Sequence, residues 1–339
     1  MLKIMQKERE LKNDMKATAI APSNIAFIKY WGKKDEKLRL PENGSISMNL
    51  SDLTTTTTVE FSPNLMKDYV EINGIKEQTE VNRVIRHLER VRKIAKLTHK
   101  AKVVAKNSFP IGTGLSSSAS GFAALTLAAS KAAGLDLGKK ELSILARQGS
   151  GSACRSIPDG FVEWLDGDTN DTSYAYSLYP SDYWDILDIV VIVSKDKKDV
   201  SSSEGQKLVL TSQFYKVRLS NINKKITRCK KLLREKNFSE LGELIEAEAL
   251  ELHAVMLTST PSLIYWLPGT IQIMNLVKKI RSEGLEVYFT VNTVQDTHLI
   301  IEEKNKEILL ERLRKINIIK KLIINKPSVG ARLTSNHLF

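Results

Sequence analysis

The stretch Pro110-Ile-Gly-Thr-Gly-Leu-Ser-Ser-Ser-Ala-Ser-Gly-Phe122 constrains this chain more than any other. It joins a short β-like run, Ala101 to Ala105, to an apolar segment, Phe122 to Ala133, that reads as a helix. Gly112 and Gly114 permit left-handed backbone, and Ser116, Ser117 and Ser118 bring hydroxyls and free amides to the mouth of a helix, where the dipole favours an anion. The outline is that of a phosphate cradle, although a glycine-serine turn that only caps a helix uses the same residues. It is neither GxxxxGK(S/T) nor a strand-linked GxGxxG, so the choice rests on the rest of the chain.

With 339 residues, 42% of them hydrophobic and 27% charged, the chain is of ordinary globular composition and long enough for two packed lobes. No apolar run reaches the ~18 residues of a membrane span. The first ten residues mix both signs of charge and lack a signal-peptide core. A cytoplasmic protein with no membrane partner is expected. Cys154 and Cys229 have no CxxC neighbour, which points to two reduced thiols rather than zinc or a disulfide. A net charge of +12 raises nucleic-acid binding, but the lysines are scattered and lack interleaved aromatics. Attraction of small polyanionic substrates accounts for the excess, and no nucleic-acid partner is expected.

Residues 1–16 read as a charged extension. A β-like run from Ala17 then passes through Pro22 into Lys29, Tyr30, Trp31, Lys33 and Lys34, two polar-tipped aromatics and three cations able to hold a carboxylate or phosphate. Period-two alternation after Pro41 and the threonine run 54–58 predict a hairpin or meander. Val81 to Leu97 has the spacing of an amphipathic helix with a basic, solvated face. Lys139 to Gln148 reads as a helix ending in Gly149-Ser-Gly-Ser-Ala-Cys-Arg-Ser156, where amides, hydroxyls and the Arg155 guanidinium, Ser152 among them, could hold a diphosphate or carboxylate. Val200-Ser-Ser-Ser-Glu-Gly205, containing Ser202, is another anion-binding turn in outline. Helices over 215–235, 238–256 and 268–283 and a strand over 286–291 complete an α+β pattern, divided near residue 190 into segments 17–190 and 191–339.

Four stretches together, Asn24 to Lys33, Pro110 to Gly121, Gly149 to Trp164 and Ser201 to Gly205, resemble the mevalonate diphosphate decarboxylase branch of the GHMP small-molecule kinase superfamily. The resemblance implies a two-lobed GHMP kinase fold, with an N-terminal ribosomal-protein-S5-domain-2-like lobe, a C-terminal ferredoxin-like α/β lobe and the active site between them. It implies ATP and Mg²⁺ over the glycine-serine loop, with Gly112, Gly114, Ser116, Ser117 and Ser118 on the nucleotide phosphates and Ser117 on the metal. Tyr30, Trp31, Lys33, Ser152, Arg155 and Ser202 would hold a phosphorylated mevalonate, Lys33 and Arg155 taking part in catalysis. The implied reaction phosphorylates the tertiary C3 hydroxyl and expels that phosphate with CO₂. A homodimer is also expected.

One departure bears on mechanism. The family usually has a strand ending Thr-Met-Asp-Ala-Gly-Pro-Asn, whose aspartate orients or deprotonates the C3 hydroxyl; here the chain reads Thr290-Val-Asn-Thr-Val-Gln-Asp296. Gapless matching puts Asn292 at the aspartate, and an amide is no general base. Either Asp296 replaces it in a rebuilt loop, or Asp296 is an ordinary loop carboxylate. The departure opens two further readings, a C3 kinase that stops before decarboxylation and an ATP-independent decarboxylase of a 3,5-bisphosphate. Asp159, where the family usually has glycine, is a second departure, expected to alter the phosphate pocket.

Overall fold

The computed structural model describes residues 15–109, 117–194 and 200–339. The chain opens with β1 (Lys16–Ile28), a short hairpin of β2 (Lys33–Asp35) and β3 (Leu40–Pro41), and the long β4 (Ser45–Ser62). Next come β5 (Tyr69–Ile72), α1 (Gln78–Ala95), β6 (Lys100–Asn107), α2 (Ser117–Ala132), α3 (Lys139–Gly149), a 3₁₀ turn (Gly151–Ser156), β7 (Phe161–Trp164) and β8 (Ala175–Tyr179). The second half contains β9 (Ile186–Ile192), the one-turn α4 (Ser202–Gly205), α5 (Tyr215–Glu235), α6 (Phe238–Leu257), α7 (Pro268–Ser282), β10 (Tyr288–Val291), β11 (Thr297–Glu302), α8 (Lys306–Leu313), β12 (Lys321–Asn325) and β13 (Arg332–Thr334).

The first lobe is a seven-stranded sheet with the path β13-β1-β4-β6-β5, extended by β7 on β4 and β8 on β7. Its core forms where the alanines of β1 and the valines of β6 meet the small-residue helix α2 and the apolar faces of α1 and α3. Residues 45–62, expected as a hairpin or meander, form one continuous strand that runs antiparallel to both β1 and β6. No Gly, Pro or Asn interrupts the alternation between Ser51 and Val59, so nothing turns the chain back. Instead β4 changes partners along its length, pairing with β7 at residues 45–48 and with β6 at 55–62, and β1 absorbs the shift at irregularities after Pro22 and Ala26.

The second lobe is a four-stranded antiparallel sheet, β10-β11-β9-β12. It is buried on both faces, which is why its strands read as apolar runs. Leu187, Ile189 and Val191 join Ile273, Val277 and Leu309 from α7 and α8 on one side. Ile186, Val190 and Ile192 face α5 and α6 on the other, in a core that also takes in Phe27 and Ile46 of the first lobe. The lobes therefore share apolar packing. The expected division at 190 falls inside β9, so the chain crosses over before Ile186, and β13 returns to pair with β1. Between α5 and α6, Lys236 takes a left-handed conformation (φ 51°) and the Asn237 side chain accepts from the Glu240 amide at 3.2 Å, which stops one helix and caps the next. No helix among the described residues is long and apolar enough to cross a membrane.

Candidate active site between the lobes

A cavity of about 500 Å³ opens between the sheets, lined by the end of β1, the threonines of β4, the start of α2, the 3₁₀ turn, α4 and the loop after β10. Each wall follows from local sequence. The 3₁₀ turn carries Arg155 inward, 4% exposed. Its Nη1 donates to Ser45 Oγ at 2.6 Å, its Nε to Ser47 Oγ at 3.1 Å and its Nη2 to Asn24 Oδ1 at 3.1 Å. Asn24 is itself held, donating to Ser156 Oγ at 2.8 Å. All these acceptors are neutral, and no carboxylate pairs with Arg155 among the described residues. Burial lowers its pKa, but a guanidinium stays charged, so the wall presents a fixed cation that an anionic ligand would satisfy.

Tyr30 stands beside it, its hydroxyl donating to Gln206 Oε1 at 2.8 Å and its ring against Trp164 at a centroid distance of 4.7 Å. That contact needs a glycine next door, because a Cβ on Gly151 would come within 2.9 Å of the Tyr30 ring and 3.1 Å of Trp164. Burial pushes the Tyr30 phenol upward, so it serves as a hydrogen-bond donor and not as a base. Trp31 is packed into the cluster formed by α6 and Leu263, where it also borders the cavity.

Ser117, Ser118 and Gly121 bring the start of α2 to the cavity, with Thr55, Thr57 and Asn107 beside them. Sixteen residues of helix then place a dipole end and free amides there, which suits phosphate. Gly112, Gly114 and Ser116 lie outside the described residues. Across the cavity Ser201 caps α4 in a reciprocal box with Glu204, and Ser202 Oγ lies 2.5 Å from Thr293 Oγ1, tying that turn to the β10–β11 loop.

Lys29 and Asn292 meet on this floor. Lys29 Nζ donates to Asn292 Oδ1 at 3.1 Å, while its backbone is fixed by Glu248 on its amide (3.0 Å) and Arg218 on its carbonyl (2.9 Å). Glu248 is fully buried and charge-paired with Arg218 at 2.6 Å and Lys225 at 2.9 Å. Desolvation, partly offset by Glu248, lowers the Lys29 pKa to about 7. His253 Nε2 lies 3.0 Å from the Asn292 carbonyl. A carbonyl only accepts, so Nε2 carries the proton, and burial holds His253 neutral with a pKa of about 3.

The structure therefore brings Tyr30, Trp31, Ser117, Ser118, Ser152, Arg155, Ser202 and Asn292 onto one cavity. Two expected residues are elsewhere. Lys33 turns out of the lining and is clamped by both oxygens of Glu36, at 2.7 and 2.6 Å; the lysine at the cavity floor is Lys29. Glu36, three residues past Lys33, was the visible sign of this pairing. Asp296 is 0% exposed and absent from the lining. Burial raises its pKa to about 7, against smaller opposing effects of His298 and the Val193 amide. Asp159 is also outside the lining, where it accepts from Lys139 Nζ at 2.5 Å and the Gly330 amide at 2.8 Å. Glu248, His253 and Arg218 escaped sequence reading because each sits in a helix whose pattern shows only amphipathicity.

Comparison with known proteins agrees with this geometry. Residues 21–175 match the diphosphomevalonate decarboxylase-like N-terminal domain and residues 188–329 the mevalonate 5-diphosphate decarboxylase C-terminal domain. The diphosphomevalonate decarboxylase of Candida albicans is 36% identical over 88% of this chain and 88% of its own length. The phosphomevalonate decarboxylase of Haloferax volcanii is 33% identical over 86% and 90%. A solved structure of MDDEF in complex with MVAPP, AMPPCP and magnesium superposes with a TM-score of 0.90 at 38% identity, covering 95% of this chain and 99% of that one. With both halves of the chain matched and the cavity placed between them, this protein belongs to the mevalonate diphosphate decarboxylase family.

Proposed function

We propose that this protein catalyses the ATP-dependent decarboxylation of a mevalonate 5-phosphate or 5-diphosphate, giving the corresponding isopentenyl ester. The observation that carries the reading is the buried Arg155, unneutralised by any carboxylate among the described residues, sharing one cavity with the start of α2. Arg155, Tyr30 and Ser152 would hold the carboxylate and phosphates of the ester, with Ser202 from the facing lobe. Ser117 and Ser118, with Gly112, Gly114 and Ser116, would take the nucleotide phosphates.

In the reaction the C3 oxygen forms a bond to the γ-phosphorus of ATP as the γ-phosphorus–oxygen bond to ADP breaks and the hydroxyl proton is taken up. The C3–O bond then breaks, phosphate leaving with the electron pair, and the C1–C2 electrons form the double bond as CO₂ departs. Fixed donors and cations at the developing charges supply the stabilisation. No group of three or more His, Cys, Asp or Glu suited to a metal occurs among the described residues. That fits Mg²⁺ bound mainly by phosphate and water with a hydroxyl such as that of Ser117, where it would neutralise phosphate charge. Two buried free cysteines accord with a reducing, cytoplasmic setting. A homodimer stays part of the proposal, to be checked by sedimentation.

Asn292 favours a second reading, a kinase that stops at the C3 phosphate, because it offers no carboxylate beside the reacting carbon. Incubation with Mg·ATP and, separately, mevalonate, its monophosphate and its diphosphate, following ADP and CO₂ together, tests both. Equal ADP and CO₂ from one ester is the expected result. ADP without CO₂ would establish the kinase, and neither product would leave the ATP-independent bisphosphate decarboxylase to be assayed.

A further inference from the structure

The cavity floor holds a lysine and an amide in contact, Lys29 Nζ and Asn292 Oδ1 at 3.1 Å. We infer that Lys29 is the proton acceptor for the tertiary hydroxyl, with Asn292 holding its amine in place. The inference rests on the reaction assigned above.

Of the titratable side chains that line the cavity among the described residues, few could accept a proton near neutrality. Tyr30 is pushed upward by burial, Arg39, Arg83 and Arg155 are guanidinium groups, Glu77 is exposed at the start of α1, and Glu80 is paired with Arg83 at 2.8 Å. Lys29 remains. It is 2% exposed, and Asn292 fixes its Nζ while His253 fixes Asn292. The charges around it come from several packed elements, Glu248 from α6, Arg218 from α5, Arg155 from the 3₁₀ turn and Asp188 from β9, with the neutral His253 of α6 beside them. Glu248 and Asp188 favour the ammonium, Arg155 and Arg218 oppose it, and desolvation outweighs all four, leaving the pKa at about 7.

The amide at position 292 is what makes this workable. A carboxylate 3 Å from Nζ would pin the ammonium, raising its pKa by about 1–3 units, whereas an amide oxygen accepts from the amine in either protonation state. A carboxylate at 292 and a neutral lysine at 29 are therefore alternatives. In this chain the hydroxyl proton passes to Nζ as the C3 oxygen attacks phosphorus, and the resulting ammonium lies beside the phosphate that later leaves. The proton is returned to solvent after product release.

The test crosses two substitutions in the full-length enzyme. Lys29→Arg keeps charge and donors but cannot accept a proton, so kcat should fall about 10³-fold. Asn292→Asp supplies a carboxylate base and should move the acidic limb of the kcat profile from about pH 7 to below about pH 5. In the Asn292→Asp background Lys29→Arg should then cost less than about tenfold, a non-additivity that a merely structural lysine would not produce. A loss of equal size in both backgrounds, or Lys29→Arg within tenfold of the parent, overturns the proposal. Titration of the Lys29 amine in ligand-free enzyme by ¹⁵N NMR, assigned with Lys29→Arg, needs no turnover. A midpoint near 7 that rises in Asn292→Asp is expected, and an ordinary lysine value in the parent overturns the inference whatever the substrate. Absence of ADP from every ester, with the amine titrating near 7, would instead count against the assigned reaction alone.

Discussion

The two walls of the cavity solve the problem of buried polarity in opposite ways. On the first lobe, Arg155 spends its donors on Ser45, Ser47 and Asn24, and Asn24 spends its own on Ser156. Behind the second-lobe wall, Thr290 Oγ1, Thr297 Oγ1 and His298 Nε2 are buried without a hydrogen bond, and the burial of the Asp296 carboxyl is only partly offset by the Val193 amide and His298, next to an Asp188–His298 contact of 2.9 Å. The first wall holds its cation in a fixed set of neutral acceptors, although Thr57 Oγ1 on the same wall is buried without a hydrogen bond. The second holds groups whose desolvation is not repaid, a condition found where protonation matters more than stability.

The sharpest break of this contrast is Arg155→Met. It removes the only fixed cation of the 3₁₀ turn and leaves two buried serines without their partner, so kcat/KM should drop about 10³-fold while stability falls by only about 1–3 kcal/mol. Turnover assay beside thermal unfolding checks it; a loss explained wholly by unfolding would mean that the wall is scaffolding. Next in size is Gly151→Ala. The added Cβ meets Tyr30 and Trp164 at 2.9 and 3.1 Å, neither of them a flexible chain end, and overpacking of this kind costs about 1–3 kcal/mol. Displacement of Tyr30 should appear as a raised KM for the phosphate ester, and an unchanged KM would separate Tyr30 from substrate.

The same contrast explains what the sequence could disclose. The first wall is built from residues close together in two short motifs, 24–33 and 149–156, whose small residues and single arginine state their chemistry locally. The long helices of the second lobe were also legible, α5 to its boundaries, because their apolar spacing is regular. The second wall was not, since its groups arrive from β9, α6 and the β10–β11 hairpin and meet only after folding. Position 29 shows the limit. Lys29 and Lys33 are alike in sequence, but β1 ends at Ile28 and delivers Lys29 to the floor, while the left-handed Gly32 (φ 92°) turns the chain into the hairpin that gives Lys33 to Glu36.

On the second wall Asp296→Asn should stabilise the protein. Asp296 holds its proton to about pH 7 when folded, against 3.8 for the free side chain, so between those values the folded state binds more protons. Stability is therefore fully present below about pH 4, is lost as pH rises to about 7 and stays low above. An amide cannot ionise and removes that loss, a gain on the order of 1–3 kcal/mol at pH 8 that vanishes at pH 4. Urea unfolding at both values measures it. Equal effects at the two would show that the buried carboxyl is not the source of the strain.

The smallest effect is expected where the walls are joined. Thr293 Oγ1 and Ser202 Oγ, 2.5 Å apart, link the loop carrying Asn292 to the capped turn of α4. Thr293→Val keeps the shape and deletes the hydroxyl. One neutral hydrogen bond is worth about 0.5–1.5 kcal/mol, so α4 should be held less firmly and KM for the phosphate ester should rise about two- to tenfold. Because Asn292 is separately held by His253 and Lys29, kcat and its pH limb should stay where they are. A matching shift of the pH limb would mean that Lys29 senses α4 through this bond, and that the two walls act as one unit.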